Sequence, residues 1–583
     1  MMALMGRLWG YLQRYRARYV VGCACLFATA TLAMAIPYLL KKAVDAIAAG
    51  ASVGRVGLFA GAMIVIALVQ AVSRTLSRAL IFNVGRDVEN DLRNDLFRHL
   101  ETLPLAFYHR QQTGDLMSRL VNDVTAVRMM LGPGILNFVN TPVYYAYGVA
   151  IMLALDARLT LAALLPYPVL LIVVKRYSRR LMEHTLRVQE GLAALSSRVQ
   201  ENLSGMHVVR AYAREAAETT AFAALNERFK QQSMELARAR GQLFPVMKIA
   251  ASLGTLVVLW YGGIEVIEGR LSLGDLVAFI AYLNILAWPT MAMGWMLSIL
   301  QRGRAALQRL ELIFGTQPGI ADVPDGVAPL PVSGRIEYRD VDFAYHVAGN
   351  GHQVLHGVSF CVEPGQKLAL VGRTGAGKST IATLLPRLFD VSSGSVFLDG
   401  RDVRTIPLAQ LRRSIGFVPQ DPFLFSTTVR DNIAFGADDA ADAAVRRAAE
   451  IAGVAADIEA FPRGYDTVVG ERGMTLSGGQ KQRLTLARAV LPDPPILVLD
   501  DALSSVDTRT ERAILRALRE VVRGSTSIVI AHRISTIQDA DVIAVVDEGR
   551  IIELGDHASL LARDGVYADL FRQQRLEDEI AAL

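Results

Sequence analysis

Cysteine is scarce in this chain, with three residues among 583. Cys23 and Cys25 lie in an apolar run, and Cys361 lies in a segment typical of a β-strand. This spacing suits neither a zinc site nor a disulfide framework, so we interpret all three as buried small hydrophobic residues. Nothing in the cysteine content implies an oxidising compartment.

Charged residues are also few. They make up 20% of the chain, whereas hydrophobic residues make up 52% and the mean hydropathy is +0.31. The chain is too long for a single core, and this composition predicts a membrane protein with a soluble part. The net charge of +5 is small for this length and no basic tract is present, so no nucleic acid is expected as a partner.

Six apolar runs have lengths that suit membrane-crossing helices. They are residues 19–40, 56–72, roughly 133–155, 159–174, 246–264 and 276–300. The first run follows several arginines, as in a signal peptide, but it is too long for one and further runs follow it. Polar segments with helical spacing, such as Asp87–Leu103 and Arg179–Asn202, predict that the spans continue into water as long helices.

The distribution of Lys and Arg predicts the orientation. The segments between the second and third spans and between the fourth and fifth are rich in arginine, whereas the other two links are short and poor in basic residues. The positive-inside rule therefore places both termini and both long segments in the cytoplasm. We expect a multi-pass protein of the cell inner (cytoplasmic) membrane, with the lipid bilayer as a partner.

Several polar residues fall at membrane depth, where they could line a cavity or form hydrogen bonds between helices. They are Asn137, Asn140, Thr141, Tyr144, Tyr145 and Asn284. Few ionisable residues lie deep in the spans, which argues against an ion-coupled transporter with a proton relay. The expected cavity is mostly uncharged and suits a small amphipathic substrate.

The C-terminal half begins after a change of composition. Residues 315–335 are rich in Gly and Pro and form a predicted linker. From Ile336 onward, strand-like and helix-like segments alternate, as in an α/β domain. The predicted division is therefore a transmembrane domain over 1–314, a linker over 315–335 and an α/β domain over 336–583.

A phosphate-binding loop organises this second half. Residues 372–380 fit the pattern G-x-x-x-x-G-K-[ST], between a predicted strand (Lys367–Val371) and a predicted helix (Thr380–Phe389). The glycines allow successive N–H groups to face one anion. Lys378 is expected to reach the β- and γ-phosphates and Ser379 to bind Mg²⁺. The predicted nucleotide-binding residues here are Gly372, Arg373, Thr374, Gly375, Ala376, Gly377, Lys378, Ser379 and Thr380.

Five further features also fit the binding and hydrolysis of a nucleotide, although each by itself could have only a structural role. Tyr345, just after the predicted strand Ile336–Phe343, could stack on adenine. Gln420 could contact Mg²⁺ or the attacking water, and Asp500, at the end of an apolar strand, could hold the Mg²⁺ shell. His532, after the predicted strand Ser527–Ile530, could sense the γ-phosphate. A second phosphate-binding nest is predicted before a helix over Gln482–Val490, at Leu476, Ser477, Gly478, Gly479 and Gln480.

With these motifs in this order, the sequence resembles an ABC transporter of the exporter type, in which a membrane domain and a nucleotide-binding domain are fused in one half-transporter. The matching motifs are the A-loop (Tyr345), Walker A (372–380), Q-loop (Gln420), signature (476–480), Walker B (496–500), D-loop (504–507) and switch histidine (His532). Residues 469–473 and 113–119 resemble, respectively, the loop that contacts coupling helices and the first coupling helix. The resemblance implies a six-helix membrane α-helical bundle followed by an α/β P-loop ATPase domain, with ATP and Mg²⁺ as cofactors.

The resemblance also implies a dimer, in which ATP lies between the P-loop of one chain and the signature of the other. The catalytic residues it implies are Asp501, His532, Gln420 and Lys378. One position departs from the family, because the catalytic base there is usually Glu and this chain has Asp501. We therefore expect the weakly hydrolysing half of a heterodimer whose partner carries Glu. His532, which some such halves lack, keeps a homodimer open.

Two other classes remain to be weighed. A soluble ABC ATPase with a mechanical role is disfavoured by the six apolar runs, and an ATP-gated channel or regulator could use the same architecture. Drugs, lipids and peptides all suit the expected cavity, and the sequence does not choose among them.

Overall fold

The computed structural model describes all residues except 1, 324–330, 348–349, 471–472, 474–475, 507, 522–523, 532–536 and 583. The chain folds into two compact units. Unit 1 comprises residues 1–101 and 114–316, and unit 2 comprises residues 102–113 and 317–583. The short segment 102–113 thus belongs to the same unit as the C-terminal half of the chain.

Unit 1 is built from helices, and each helix follows the previous one closely in the chain. The helices are α1 (Met2–Arg14), α2 (Arg16–Ala48), α3 (Val53–Thr102), α5 (Thr113–Ser118), α6 (Val124–Met129), α7 (Ile135–Leu155), α8 (Ala157–Leu164), α9 (Tyr167–Ser204), α10 (Met206–Ala211), α11 (Glu215–Val257), α12 (Gly263–Ile267) and α13 (Leu273–Phe314); α4 (Leu105–Arg110) lies in unit 2. Turns of π-helix at 119–123, 130–134 and 258–262 join α5 to α6, α6 to α7 and α11 to α12.

Four helical stretches in the described part of the chain are long and apolar enough to cross a membrane. They are Arg16–Ala48, Val53–Thr102, Thr113–Leu155 and Leu273–Phe314, and they contain the predicted first, second, third and sixth spans. The predicted fourth run, 159–174, is divided between α8 and α9 near Pro166. At the predicted fifth run, 246–264, the apolar stretch found is Ser252–Ile267, which is shorter and ends three residues later.

The core of unit 1 lies where α2, α7 and α13 pack together. Small residues of α2, such as Ala30 and Ala33, are buried there and allow the helices to approach closely. Tyr282 of α13 is fully buried, and its hydroxyl donates to the Met34 carbonyl at 3.0 Å. The polar helices α9 and α11 pack along each other, linked by the ion pair of Arg198 with Glu218 at 2.5 Å. The prediction that spans continue as long helices is confirmed by their lengths, since α3 has 50 residues.

Unit 2 contains two sheets. Their strands are β1 (Ile336–Val347), β2 (Asn350–Val362), β3 (Lys367–Val371), β4 (Ser393–Leu398), β5 (Arg401–Asp402), β6 (Ile415–Val418), β7 (Ile496–Asp500), β8 (Thr526–Ile530), β9 (Val542–Asp547) and β10 (Arg550–Gly555). The order β2-β1-β4-β5 forms an antiparallel sheet, and the order β10-β9-β3-β8-β7-β6 forms a sheet that is parallel except at β10. The α/β prediction is confirmed.

The helices of unit 2 surround these sheets. After α4 they are α14 (Lys378–Leu384), α15 (Leu408–Arg413), α16 (Val429–Ala434), α17 (Asp442–Ile451), α18 (Ala455–Glu459), α19 (Gly478–Val490), α20 (Thr508–Val521), α21 (His557–Ala562) and α22 (Val566–Ala582). In the parallel sheet β8 lies between β3 and β7, so the carboxyl ends of these three strands meet at one edge. Ligands bind at this edge in open α/β sheets.

Three element boundaries differ from the sequence predictions. Tyr345 lies within β1 because the strand continues through the hairpin with β2, where Tyr345 pairs with His352. Helix α14 ends at Leu384 rather than Phe389, since Pro386 disfavours helix in the residue before it. Helix α19 begins at Gly478, earlier than predicted.

Candidate nucleotide-binding site

The P-loop joins β3 to α14 through a backbone that only glycine can adopt at two positions. Gly372 has φ +151°, and a Cβ there would lie 2.0 Å from the Val546 carbonyl oxygen. Gly377 has φ +103° and lies against the Leu355 side chain. The loop can therefore curl closely over the sheet edge, and this conformation leaves space for an anion beside its N–H groups.

Lys378 is folded back onto this loop. Its Nζ donates to the carbonyl oxygens of Gly372 at 2.7 Å and Arg373 at 2.8 Å, and the residue is 6% exposed. Burial lowers the pKa of Lys378, while the charges of Asp500 and Asp501 oppose that shift. A buried ammonium whose hydrogen-bond partners are neutral carbonyl groups favours an anionic ligand such as a phosphate.

Ser379 and Asp500 present oxygen atoms to the same place. The Ser379 hydroxyl donates to Asp500 Oδ1 at 3.0 Å, and Asp500 is 4% exposed at the end of β7. A hydroxyl and a carboxylate are the hard ligands that Mg²⁺ prefers, and such sites are completed by waters and substrate phosphates. In the described residues there is no group of three or more His, Cys, Asp or Glu that could hold a metal ion.

These residues line one cavity of about 160 Å³. Its walls are Val354, Thr374, Gly375, Ala376, Gly377, Lys378, Ser379, Thr380, Gln420, Asp500, Asp501 and Ile530. Gln420 is exposed at its rim. The tertiary structure thus brings together the predicted P-loop, Q-loop and Walker B residues, and their individual roles stay predictions.

Asp501 begins the turn after β7 in an unusual backbone conformation. Its φ is +48°, a region that Asp tolerates better than most residues, and its N–H donates to the Ile530 carbonyl at 2.9 Å. This hydrogen bond fixes the residue between the ends of β7 and β8, and the residue lines the cavity beside Asp500.

Tyr345 is held by aromatic packing. Its ring meets Phe343 at 4.7 Å and Phe389 at 5.3 Å, edge to face in both cases, and its hydroxyl lies 3.3 Å from Thr380 Oγ1. It lines a separate, more apolar cavity of about 320 Å³, next to the one at the P-loop. The Thr380 contact connects Tyr345 to the P-loop helix, and adenine stacking stays a prediction.

The signature residues form the beginning of α19. Ser477 caps the helix through a capping box with Gln480, in which each side chain accepts from the other residue's backbone N–H. Gly479 approaches the Ser505 backbone so closely that a Cβ would lie 2.9 Å from its carbonyl oxygen. None of residues 476–480, all within the described chain, lines the P-loop cavity. The N–H groups of Leu476, Ser477 and Gln480 already donate within the chain. A nucleotide held elsewhere would therefore meet the N–H groups of Gly478 and Gly479 in the first turn of the helix.

Sequence reasoning missed Gln482, which connects the signature helix to the D-loop. Its Nε2 donates to Ser504 Oγ and its Oε1 accepts from the Ser505 N–H, both at 2.9 Å. Gln482 is 3% exposed. In the sequence, only its spacing points to this role: Gln482 lies three residues after Gly479, so the two residues share one face of α19.

Arg488 of α19 was missed as well. It donates to the carbonyl oxygens of Asn432 at 2.8 Å and Phe423 at 2.9 Å, and its guanidinium lies over the rings of Phe425 and Phe435. Burial lowers the pKa of Arg488 to about 10, so it stays charged at neutral pH. It ties the segment after Gln420 to the signature helix.

Some residues of the predicted motifs lie outside the described part of the chain. They are His532, D-loop residue 507, and residues 471 and 472 of the predicted loop 469–473. The predicted first coupling helix, residues 113–119, contains α5, and all of it except Thr113 lies in unit 1. The segment grouped with unit 2 is 102–113, where the His109 ring of α4 lies 6.0 Å from that of Phe389. The coupling role of residues 113–119 stays a prediction.

A unit of apolar helices and a P-loop ATPase unit in one chain define a membrane transporter driven by ATP. The chain belongs to the ABC transporters: the family model for the ABC transporter transmembrane region matches residues 19–290, and that for the ABC transporter matches residues 355–504.

Relatives match along the whole chain. The multidrug resistance-like ATP-binding protein MdlA of Escherichia coli is 37% identical over 99% of this chain and 97% of its own length. The ATP-dependent lipid A-core flippase of Syntrophus aciditrophicus is 33% identical over 99% and 96%. The structure of a bacterial Atm1-family ABC exporter with ATP bound superimposes with a TM-score of 0.80 at 31% identity, covering 97% of this chain and 98% of that one.

Proposed function

We propose that this chain, an exporter-type ABC half-transporter with an ATPase coupled to transport across a membrane, exports an amphipathic or hydrophobic compound of the drug, lipid or peptide class. It does so by alternating access, as one half of a dimer. Both termini and the ATPase unit are cytoplasmic in this proposal, and the membrane is the inner (cytoplasmic) one. The proposal also keeps the domain division 1–314, 315–335 and 336–583.

Dimerisation is supported by the separation of two motifs. Lys378 and Ser379 line the P-loop cavity of this chain, while the signature lies outside that cavity. A second chain must therefore supply a signature to a nucleotide held here. ATP prefers the closed pair, and closure shifts the population of the membrane unit from inward- to outward-facing.

The chain's own residues divide the work at the site. Lys378 neutralises the β- and γ-phosphates, and the P-loop N–H groups orient them. Ser379, Asp500 and Gln420 would hold Mg²⁺, which supplies charge neutralisation between the phosphate oxygens when bound. Asp501 would accept the proton of the attacking water.

Asp501 is the observation that carries the heterodimer proposal. Aspartate is shorter than glutamate by one C–C bond, roughly 1.5 Å. A base displaced on that scale costs about 10²-fold in rate. The carboxylate stands at the end of β7 with its backbone fixed by Ile530, so the backbone cannot easily advance to compensate. This chain's own site is therefore slow, and its complete signature serves the partner's site.

The test is to purify the chain alone and together with a second half-transporter that carries Glu after its Walker B Asp. Asp501→Asn is expected to change turnover of the pair little, whereas replacing the partner's Glu abolishes it. Brisk ATPase activity of this chain alone that is lost in Asp501→Asn contradicts the proposal and favours a homodimer. Substrate-independent ion conductance instead of transport would favour an ATP-gated channel.

A further inference from the structure

Unit 1 contains a cavity of about 430 Å³ between α2, α3, α7 and α13. Its lining includes the apolar residues Leu26, Ile36 and Ile285. The sequence predicted a mostly uncharged cavity, and two of the sixteen lining residues are charged, Arg74 and Arg78.

The two arginines share a helix face. Gln70, Arg74 and Arg78 follow one another at intervals of four residues along α3, so all three project toward the same side. Arg74 and Gln70 lie beside the Tyr144 hydroxyl of α7. Asn137 of α7 and Asn284 of α13 also line the cavity.

No carboxylate balances this positive charge. None of the sixteen residues that line the cavity is Asp or Glu. Within the described part of the chain, Arg74 and Arg78 take part in no ion pair. Two guanidinium groups on one helix face favour an anion and repel a cation.

The position along α3 gives the depth of this charge. The uncharged stretch 56–73 precedes Arg74. Its 18 residues rise about 27 Å at 1.5 Å each, close to the roughly 30 Å of a hydrocarbon core. Arg74 and Arg78 therefore stand at one boundary of the membrane, where a lipid-like molecule places its headgroup.

We propose that this cavity binds an amphiphile whose anionic headgroup lies against Arg74 and Arg78 and whose apolar tail contacts Leu26, Ile36 and Ile285. The inference rests on the proposed export function and narrows its substrate class to anionic amphiphiles. A cationic lipophilic compound with the same tail finds no counter-charge in this cavity and is bound weakly.

The experiment measures equilibrium binding to the nucleotide-free, full-length chain in a non-ionic detergent. The probes are dodecyl phosphate, laurate and dodecyltrimethylammonium, which share one tail length, and inorganic phosphate, which has no tail. Dodecyl phosphate is expected to bind at least about 10-fold more tightly than dodecyltrimethylammonium. Weak binding of inorganic phosphate shows that the tail is needed. Laurate, whose headgroup is a carboxylate, shows whether the site accepts anions in general or selects phosphate. Its affinity therefore separates carboxylated compounds from phospholipids as the source of the ligand.

Variants locate the effect. The double variant R74Q/R78Q is expected to lose the preference for the anion, and R74K/R78K is expected to retain most of it. R55Q is the matched control, because Arg55 lies exposed on the same helix outside the cavity. Increasing salt is expected to weaken binding of dodecyl phosphate to the wild-type chain, a readout that does not depend on the folding of any variant.

The proposal is overturned if both charged amphiphiles bind with equal affinity, or if a folded R74Q/R78Q variant keeps the preference for the anion. The two arginines would then serve as anchors to bulk lipid headgroups. Because binding is measured without ATP, failure of this inference is separate from failure of the proposed export function. Absence of ATP-driven export, with the anion preference intact, would contradict only the proposed export function.

Discussion

Ser379 and Asp500 are in direct contact, although 121 residues separate them in the chain: the serine hydroxyl donates to the aspartate Oδ1 at 3.0 Å. The contact exists because β3 and β7 flank β8 in the same parallel sheet and end at the same edge. It joins the P-loop to Walker B, so the two expected Mg²⁺ ligands lie side by side.

Replacing Asp500 tests this arrangement. Asp500→Asn keeps an oxygen that can accept from Ser379 but removes the charge, so the Mg²⁺ dependence of ATP binding should weaken by about 10- to 100-fold. ATP affinity is measured with and without EDTA. Asp493→Asn is the control, since Asp493 is exposed and does not line the P-loop cavity. An unchanged Mg²⁺ dependence in Asp500→Asn would exclude Asp500 from the metal site.

Lys378→Ala should abolish ATP-driven transport and weaken ATP binding by about 10- to 100-fold, since it removes the buried ammonium of the P-loop. A bound phosphate opposes the burial that lowers the pKa of Lys378, so binding raises that pKa. Affinity in the wild-type chain should therefore be greatest at low pH and fall as pH rises through the lowered pKa. Transport in vesicles and a pH series of binding check both statements; Lys378→Ala should lack this alkaline decline.

Tyr345 is predicted to stack on adenine. Tyr345→Ala should weaken ATP binding by roughly 1–3 kcal/mol, while Tyr345→Trp should have a mild effect. ATP is compared with inorganic triphosphate, which has no base to stack. Equal damage from both substitutions, or equal loss for the two ligands, would assign Tyr345 to packing against Phe343 and Phe389 alone.

Asp501→Glu should raise ATP hydrolysis at this chain's own site, up to about 10²-fold, because it restores the missing length of the base. The positive φ of residue 501 suits Asp better than Glu, so a modest loss of thermal stability should accompany the gain. Turnover is measured in the pair after the partner's Glu has been removed, which silences the other site. No gain in that background would mean that chain length at 501 does not limit hydrolysis.

Gln482 is predicted to hold the D-loop against the signature helix. Gln482→Leu leaves the Ser505 N–H without its acceptor and should cost about 1–3 kcal/mol of unfolding free energy. Gln482→Glu keeps that acceptor and should lose less. Thermal and denaturant unfolding of the full chain give the two values. If both variants match the wild type, the contact carries no stability.

The sequence alone determined the class of the protein and the chemistry of its P-loop. A P-loop is a local pattern, in which nine consecutive residues between a strand and a helix set the position of Lys378 and Ser379. Such a pattern can be read without knowing which distant segments pack against it. The apolar runs that coincide with α2, α3, α7 and α13 were readable for the same reason, since a membrane helix must be apolar along its own length.

The tertiary structure decided what depends on residues far apart in the chain. Sheet order brought Asp500 to Ser379, and hairpin pairing extended β1 beyond Tyr345. Helix packing turned Arg74 and Arg78, which follow an apolar run in the sequence, into the wall of a cavity with residues of three other helices. Such neighbours are set by packing across the core, and no spacing within one segment encodes them.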